Sequence, residues 1–142
     1  MEIIYSKKNP KVILHIVYQA NEFYDIHEGH RKDIVDANEF IQVSALKMKK
    51  GQKFKPHQHI WKDGEKQCIA QESWVVIKGY VKVTMYDLDN TIIATPILGP
   101  GDCSMTFQGG HTYEILEEDT IVYEYKTGPY KGQANDKEFI DG

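Results

Sequence analysis

Residues 72–86 read ESWVVIKGYVKVTMY and carry the clearest strand pattern of the chain. An apolar run at residues 74–77 ends before Gly79, and apolar side chains then return at every second position, at Val81, Val83 and Met85. Because side chains of a strand alternate between the two faces of a sheet, this spacing predicts a strand buried on one side. The glycine between the two segments is typical of a tight turn. The stretch therefore predicts a strand, a turn and a second strand.

Further strand signals lie on both sides of this strand-turn-strand segment, and turn residues separate them about every 8 to 12 residues. They occupy residues 12–18, 40–47, 91–95, 104–107, 111–116 and 120–125. No long segment has the periodicity of a helix. Short strands at this spacing are typical of an all-β sandwich or barrel, and we predict a double-sheet jelly-roll barrel.

The length of the chain predicts a single domain. Its 142 residues match the commonest domain size and allow one buried core. We expect one barrel domain over residues 1–142, in which residues 1–40 provide a strand and a connection with a short helix or an edge strand. The polar tail, residues 128–142, is expected on the surface or across a partner subunit, and we assign it no secondary structure.

A His-x-His pair follows the strand signal that ends before Gly51. His57 and His59 are separated by one residue, so on an extended segment both side chains point the same way and suit one shared ion. A carboxylate and a third imidazole would complete a ligand set of nitrogen and oxygen donors. Such a set suits Zn, Fe, Ni or Mn and suits Ca poorly.

Two glycine-bounded motifs resemble the signatures of the cupin superfamily. The first, residues 51–79, is a glycine followed by His-x-His, a glutamate and a closing glycine, and the second, residues 101–111, is Gly-Asp followed by Gly-Gly-His. The resemblance implies a double-stranded β-helix barrel that holds one divalent transition metal. The chain also resembles small cupins linked to sugar-nucleotide or surface-polysaccharide synthesis. The ligands that the resemblance implies are His57, His59, Glu72 and His111.

The first motif departs from the family pattern in length. Twelve residues, 60–71, separate His59 from Glu72, where the family has only a few. Glu65, Gln67 and Gln71 compete with Glu72 for the fourth ligand position, but Glu72 keeps the family's six-residue spacing to Gly79. We expect the inserted stretch to form a lid over the ion.

Two residues of the last long strand are candidates for chemistry beside the ion. Glu124 is a charged residue among apolar ones, and an inward-pointing side chain would act as a base or an extra ligand, whereas an outward-pointing one would be an ordinary surface residue. Its neighbour Tyr123, together with Lys126, could hydrogen-bond a bound anion. The residues expected to line the barrel wall are Trp74, Val76, Tyr113 and Tyr123.

Composition excludes several classes of partner. Lysine, arginine and acidic residues are mixed along a chain of net charge -4, so no basic stripe suggests nucleic acid. The first residues lack a secretory signal, and no apolar run approaches the ~20 residues of a membrane helix, so we expect a cytoplasmic protein without membrane contact. Cys68 and Cys103 are then expected as free thiols. Open sheet edges and the polar tail favour a homodimer.

The candidate site leaves three functions open. One is a metal-dependent isomerase, epimerase or dioxygenase acting on a small polar metabolite such as an activated sugar. Another is a cupin that binds a ligand without catalysis. The third is a metal-free sugar isomerase or epimerase in which His57 or His59 is the base, a tyrosine is the acid and Glu72 is structural. Four converging ligands favour a metal, whereas a histidine facing a tyrosine and a carboxylate favours acid-base chemistry.

Overall fold

The computed structural model describes residues 1–61, 69–129 and 132–141, and nearly all regular structure in them is β-strand. The helical segments are a 3₁₀ helix at Ala20–Asp25 and the single turn α1 at Gln133–Asp136. The strands, in chain order, are β1 Glu2–Tyr5, β2 Ile13–Val17, β3 His30–Asp33, β4 Ile41–Met48, β5 His57–His59, β6 Glu72–Lys78, β7 Val81–Tyr86, β8 Ile92–Ala94, β9 Ile97–Leu98, β10 Cys103–Thr106, β11 Gly110–Ile115, β12 Thr120–Thr127 and β13 Lys137–Phe139.

Two antiparallel sheets form the walls of the barrel. One has the order β10-β6-β12-β4-β3 and the other the order β13-β5-β11-β7-β8, with β9 also paired to β7. Apolar side chains from both sheets pack into one core between them. The prediction of an all-β jelly-roll barrel is confirmed. The buried core residues are Leu46, Met48, Trp74, Val76, Val81, Val83, Leu98, Tyr113, Ile115 and Val122.

A second apolar cluster covers the outer face of the first sheet. Phe23 from the 3₁₀ helix packs there with Ala45 of β4 and Tyr123 of β12. Side chains of β12 alternate, so Val122 joins the core inside the barrel while Tyr123 points to the outer cluster. Trp74, Val76 and Tyr113 line the interior, as expected, but Tyr123 does not.

The two strands predicted at residues 72–86 are present as β6 and β7, which follow one another across Gly79 but belong to different sheets. Gly79 turns the chain with a φ of +86°, and a Cβ at this position would overlap Thr120. Only glycine satisfies both conditions without strain. The turn thus depends on contact with β12 as well as on local backbone geometry.

The C-terminal tail takes part in the barrel, although its polar composition carries no strand signal. Strand β13 pairs with β5 and aligns Lys137 with His59 and Phe139 with His57. Ile140 follows β13 and packs over Gly110. A Cβ at position 110 would overlap the Ile140 side chain. The tail therefore covers the edge of the strand that carries the histidine pair.

The remaining expectations concern the insertion, the cysteines and the membrane. Trp61 and Ile69 form an antiparallel bridge near the two ends of the insertion. The middle of the predicted lid of residues 60–71, namely residues 62–68 with Glu65, Gln67 and Cys68, lies outside the described residues. Cys103 is an exposed free thiol. Among the described helices, none has the length and apolar character that crossing a membrane would require.

Candidate metal centre

The four residues of the cupin-like motifs meet inside the barrel. One donor atom from each of His57, His59, Glu72 and His111 lies within 4.8 Å of the others, and all four side chains are buried. The Nε2 atom of His111 is 3.2 Å from Nε2 of His57 and 2.6 Å from Oε2 of Glu72. Nε2 of His59 is 3.7 Å from the same carboxylate oxygen. The site thus presents three imidazole nitrogens and one carboxylate oxygen to a common centre.

Strand register brings these residues together. His57 and His59 face the interior from β5 because they are two residues apart, and β11 places His111 directly opposite His57. Glu72 starts β6 in the other sheet and reaches the centre from across the barrel. The cluster therefore depends on the closure of the two sheets.

The outer nitrogen of each histidine ring has a contact of its own. Nδ1 of His57 lies 3.0 Å from the carbonyl oxygen of Lys55, and Nδ1 of His111 lies 2.9 Å from the hydroxyl oxygen of Thr106. Nδ1 of His59 lies 3.2 Å from Oδ2 of Asp136. Such contacts orient the rings and leave Nε2 directed at the centre, as is usual for histidines that bind metals.

Asp136 is the residue that sequence reasoning missed. It closes α1 in the tail, is 1% exposed, and its carboxylate contacts both His59 and Lys126, the latter at 3.3 Å. The sequence offers only an aspartate within a polar segment, and no spacing connects it to a histidine 77 residues earlier, the difference between positions 136 and 59. Its position follows from the pairing of β13 with β5.

The two histidines of β5 have opposite electrostatic environments. Burial, together with the charge of His111, lowers the pKa of His57 to about 4. Burial also opposes a charged His59, but the carboxylates of Asp136 and Glu72 outweigh it and raise its pKa to about 9. His57 is therefore neutral at pH 7, while His59 is protonated when no metal competes for it.

Both buried carboxylates remain ionised. Burial alone would raise the pKa of Glu72, but His111 and His59 outweigh it and hold the pKa well below the usual value. In the same way, His59 and Lys126 lower the pKa of Asp136 against the effect of its burial. A buried carboxylate oxygen is thus available as a ligand at neutral pH.

The donor set fits a transition metal. Both ring nitrogens of His59 and Oδ1 of Asp136 are buried without an aligned hydrogen-bond partner among the described residues. Buried polar atoms nearly always have a partner, and a missing one requires an explanation. An ion at the centre of the cluster would be the partner of the His59 Nε2 atom, and three imidazoles with one carboxylate are suitable ligands for it.

The catalytic candidates lie on opposite faces of β12. The Oε2 atom of Glu124 accepts a hydrogen bond of 3.0 Å from the Trp74 indole, and Oε1 accepts one of 2.7 Å from Arg31. Glu124 is therefore an interior residue. Tyr123 lies in the outer cluster, where its hydroxyl is 3.5 Å from the carbonyl oxygen of Tyr18, so alternation along β12 directs it away from the histidines.

Tyr113 is the tyrosine that contacts the cluster. Its ring stacks on Trp74 with centroids 3.6 Å apart, and its hydroxyl lies 3.2 Å from Nδ1 of His111 and 3.5 Å from Oε2 of Glu72. Burial, with the charges of Glu72 and Glu124, raises the pKa of this hydroxyl well above its ordinary value. Tyr113 is therefore neutral and acts as a hydrogen-bonding residue behind two of the proposed ligands.

Comparison with known proteins identifies the fold. No protein-family model matches the chain, and no curated protein matches it in sequence. Solved structures do match. An uncharacterised protein of Klebsiella pneumoniae with a double-stranded β-helix domain matches this chain with a TM-score of 0.62 and 15% identity. The match covers 91% of this chain and 100% of that protein. The chain has the double-stranded β-helix fold.

Two further solved structures with a similar barrel are named proteins. CapF of Staphylococcus aureus, a capsular polysaccharide assembling protein, matches 80% of this chain with a TM-score of 0.66 and 15% identity. KdgF from Halomonas sp. matches 71% of the chain with a TM-score of 0.55 and 20% identity. The matched region is 32% of the CapF chain and 80% of the KdgF chain. At these identities the similarity is one of fold.

Proposed function

We propose that this cupin binds one divalent transition metal through His57, His59, Glu72 and His111. The observation that carries the proposal is the convergence of four buried donor atoms within 4.8 Å, one of them a His59 nitrogen without another aligned partner. A bound Zn, Fe, Ni or Mn ion would supply Lewis-acid chemistry to a ligand that enters the barrel. The protein residues around the cluster hold the donor atoms in place.

The ligand that we propose is a small polar metabolite. Glu124, Arg31 and Lys126 line one polar cavity on the inner face of the sheet, and Lys126 also contacts Asp136 beside His59. Of the two catalytic candidates, Glu124 is the one on this side of the sheet, and we assign it the role of accepting hydrogen bonds or a proton from the ligand. Tyr123, in the outer cluster, is not retained for this role.

An activated sugar is the specific ligand that we propose, with isomerase, epimerase or dioxygenase chemistry as the activity. The support is the similarity in fold to a capsular polysaccharide assembling protein and the polar interior. Thermal shift with a panel of nucleotide sugars tests the ligand, since a ligand at 100 times its Kd stabilises by roughly 2.7 kcal/mol. Binding without turnover of any sugar would favour a non-catalytic cupin.

A metal-free isomerase has one observation in its favour. Tyr113 faces both a histidine and a carboxylate, which is the arrangement expected for acid-base chemistry. However, its hydroxyl contacts Nδ1 of His111, the outer ring nitrogen, and neither His57 nor His59. The metal proposal accounts for the inward direction of the Nε2 atoms, and we therefore prefer it.

Metal analysis tests the proposal directly. We expect untagged protein to purify with close to one first-row transition metal per chain. Protein stripped with a chelator should recover the same amount when Fe, Ni, Mn or Zn is supplied. Stripped protein that remains folded by circular dichroism and takes up none of these ions would overturn the proposal.

We further propose a homodimer in the cytoplasm. The hairpin of β1 and β2 pairs only with itself among the described strands and exposes apolar side chains that a partner subunit could cover. An exposed free thiol at Cys103 suits a reducing compartment. Sedimentation equilibrium tests the dimer. A monomer at all concentrations would exclude it. The exposed apolar residues of this hairpin region are Ile3, Ile4, Tyr5, Val12, Ile13, Leu14 and Val17.

A further inference from the structure

A polar cavity of about 390 Å³ lies on the inner side of the first sheet. Its lining includes inward side chains of β4 and β12 and one residue of the tail strand β13. Three of these residues are cations, and two are carboxylates that are paired to one of the cations. The charged lining residues are Arg31, Asp33, Glu124, Lys126 and Lys137.

Two lysines of this cavity lie opposite residues of the proposed metal cluster. Lys126 on β12 is opposite Glu72 on β6, and Lys137 on β13 is opposite His59 on β5. Side chains of directly opposed residues lie on the same face of a sheet, so both lysines are on the side of the ligands. The Lys126 ammonium is also 3.3 Å from Asp136, which contacts His59. A ligand bound by both lysines would therefore lie beside the cluster.

The three cations of the cavity differ in how far nearby carboxylates neutralise their charge. Arg31 is held by Glu124 at 2.7 Å and by Asp33 at 3.2 Å, so its charge is neutralised by the protein. Lys126 shares the Asp136 carboxylate with His59. Lys137 forms no ion pair with any of the residues that the structure describes, and its positive charge contributes to the lowered pKa of His57. The excess positive charge of the cavity thus lies at Lys137.

We propose that Lys137, together with Lys126, forms an anion subsite that binds the carboxylate or phosphate of the ligand beside the metal cluster. The proposal rests on the proposed function, because the ligand is the one that the metal would act on. Two ammonium groups on the ligand side of the barrel provide several hydrogen-bond donors for anionic oxygens. They would also place the rest of the ligand over the cluster. Neither signature of the cupin motifs includes these lysines.

Binding of three related sugars tests the subsite. Glucose 1-phosphate, glucuronate and glucose share a ring and differ in their anionic group, and each is titrated calorimetrically into metal-stripped protein. We expect at least one of the two anionic sugars to bind and glucose to bind far more weakly. Binding of glucose 1-phosphate alone identifies a phosphate subsite, and binding of glucuronate alone identifies a carboxylate subsite.

Substitution locates the bound anion. We expect Lys137→Gln to weaken binding of the anionic sugar by roughly fivefold or more, because it removes a half-buried cation, whereas Lys137→Arg keeps the charge and retains most of the affinity. The matched control is Lys8→Gln at an exposed lysine of the N-terminal turn. Unchanged affinity in Lys137→Gln, or no binding of either anionic sugar to the wild type, overturns the proposal.

A measurement on the wild-type protein avoids any effect of substitution on folding. The bound anionic sugar should slow acetylation of Lys137 relative to Lys8, as followed by peptide mass spectrometry, and equal rates would contradict the subsite. The two proposals fail separately. Absence of metal uptake with anion binding intact removes the metal proposal, and metal uptake without anion binding at Lys137 removes only the subsite.

Discussion

Nδ1 of His59 lies 3.2 Å from Oδ2 of Asp136, and both side chains are almost completely buried. This contact joins the C-terminal tail to the strand that carries the histidine pair. Because β13 pairs with β5, the tail also fixes the position of the carboxylate. Asp136 is therefore a positioning residue for His59, which it contacts on the side away from the cluster.

Replacement of Asp136 tests this role. Asp136→Asn should weaken metal binding by roughly 10-fold to 100-fold, the usual effect of removing the outer partner of a metal-binding histidine. Competition with a chromophoric chelator measures the affinity. Asp141→Asn, at an exposed position in the same tail, is the matched control and should bind metal like the wild type. Equal affinities of the two variants would show that Asp136 does not position His59.

Removal of a histidine should abolish metal binding without unfolding the barrel. His57→Ala and His111→Ala each delete one of four proposed donors, while the apolar core between the sheets keeps its contacts. We expect metal content close to zero with an unchanged circular dichroism spectrum. His27→Ala, outside the cluster, should keep its metal. A His111→Ala protein with a full complement of metal would contradict the proposed ligand set.

The choice of carboxylate has its own test. Glu72→Gln should reduce metal affinity strongly, because an amide oxygen carries no charge to offset that of the ion. Glu65→Gln is the control, since Glu65 is the competing glutamate of the insertion and lies outside the described residues. Chelator competition on both variants compares them directly. Losses of the same size would mean that Glu72 has no special role.

Metal-stripped protein should be most stable near pH 6.5. His59 has a folded-state pKa of about 9, above the ordinary 6.5, so its stabilising contribution is complete below pH 6.5 and is lost as the pH rises to 9. His57 has a folded-state pKa of about 4, so the unfolded chain binds a proton first and stability falls as the pH drops from 6.5 to 4. Urea unfolding across this range measures both limbs. Asp136→Asn should flatten the alkaline limb, and an unaltered limb would exclude Asp136 as the cause of the raised pKa.

Substitutions at two glycines distinguish the cost of backbone strain from the cost of steric overlap. Gly51 and Gly79 both have positive φ, but a Cβ at Gly51 meets no atom within 4 Å, whereas a Cβ at Gly79 overlaps Thr120. Gly51→Ala should cost about 1 kcal/mol of unfolding free energy, the usual penalty for a left-handed residue. Gly79→Ala should cost roughly 2 to 4 kcal/mol, because displacement of Thr120 is added. Equal losses of unfolding free energy for the two variants, measured by urea unfolding, would mean that β12 moves away from the added methyl group at no cost.

Much of the fold could be predicted from local patterns in the sequence. The two strands and the turn at residues 72–86 were predicted because period-two alternation and one glycine specify them without reference to distant residues. The same logic placed β4, β11 and β12 within a residue or two of their bounds. The tail strand β13 was not predicted, since three residues of mixed polarity carry no period and form a strand only where the edge of β5 is available.

The sequence by itself determined that His57 and His59 share a face, because a spacing of two residues on a strand leaves no other choice. It also determined the order along the chain of the glycines of the two motifs and of the other two ligand candidates, Glu72 and His111. Only the tertiary structure decided that Glu72 reaches the histidines, that Glu124 points inward while Tyr123 packs outward, and that Asp136 lies beside His59. These relationships depend on strand register and sheet closure, which join residues far apart in the chain and leave no local signal.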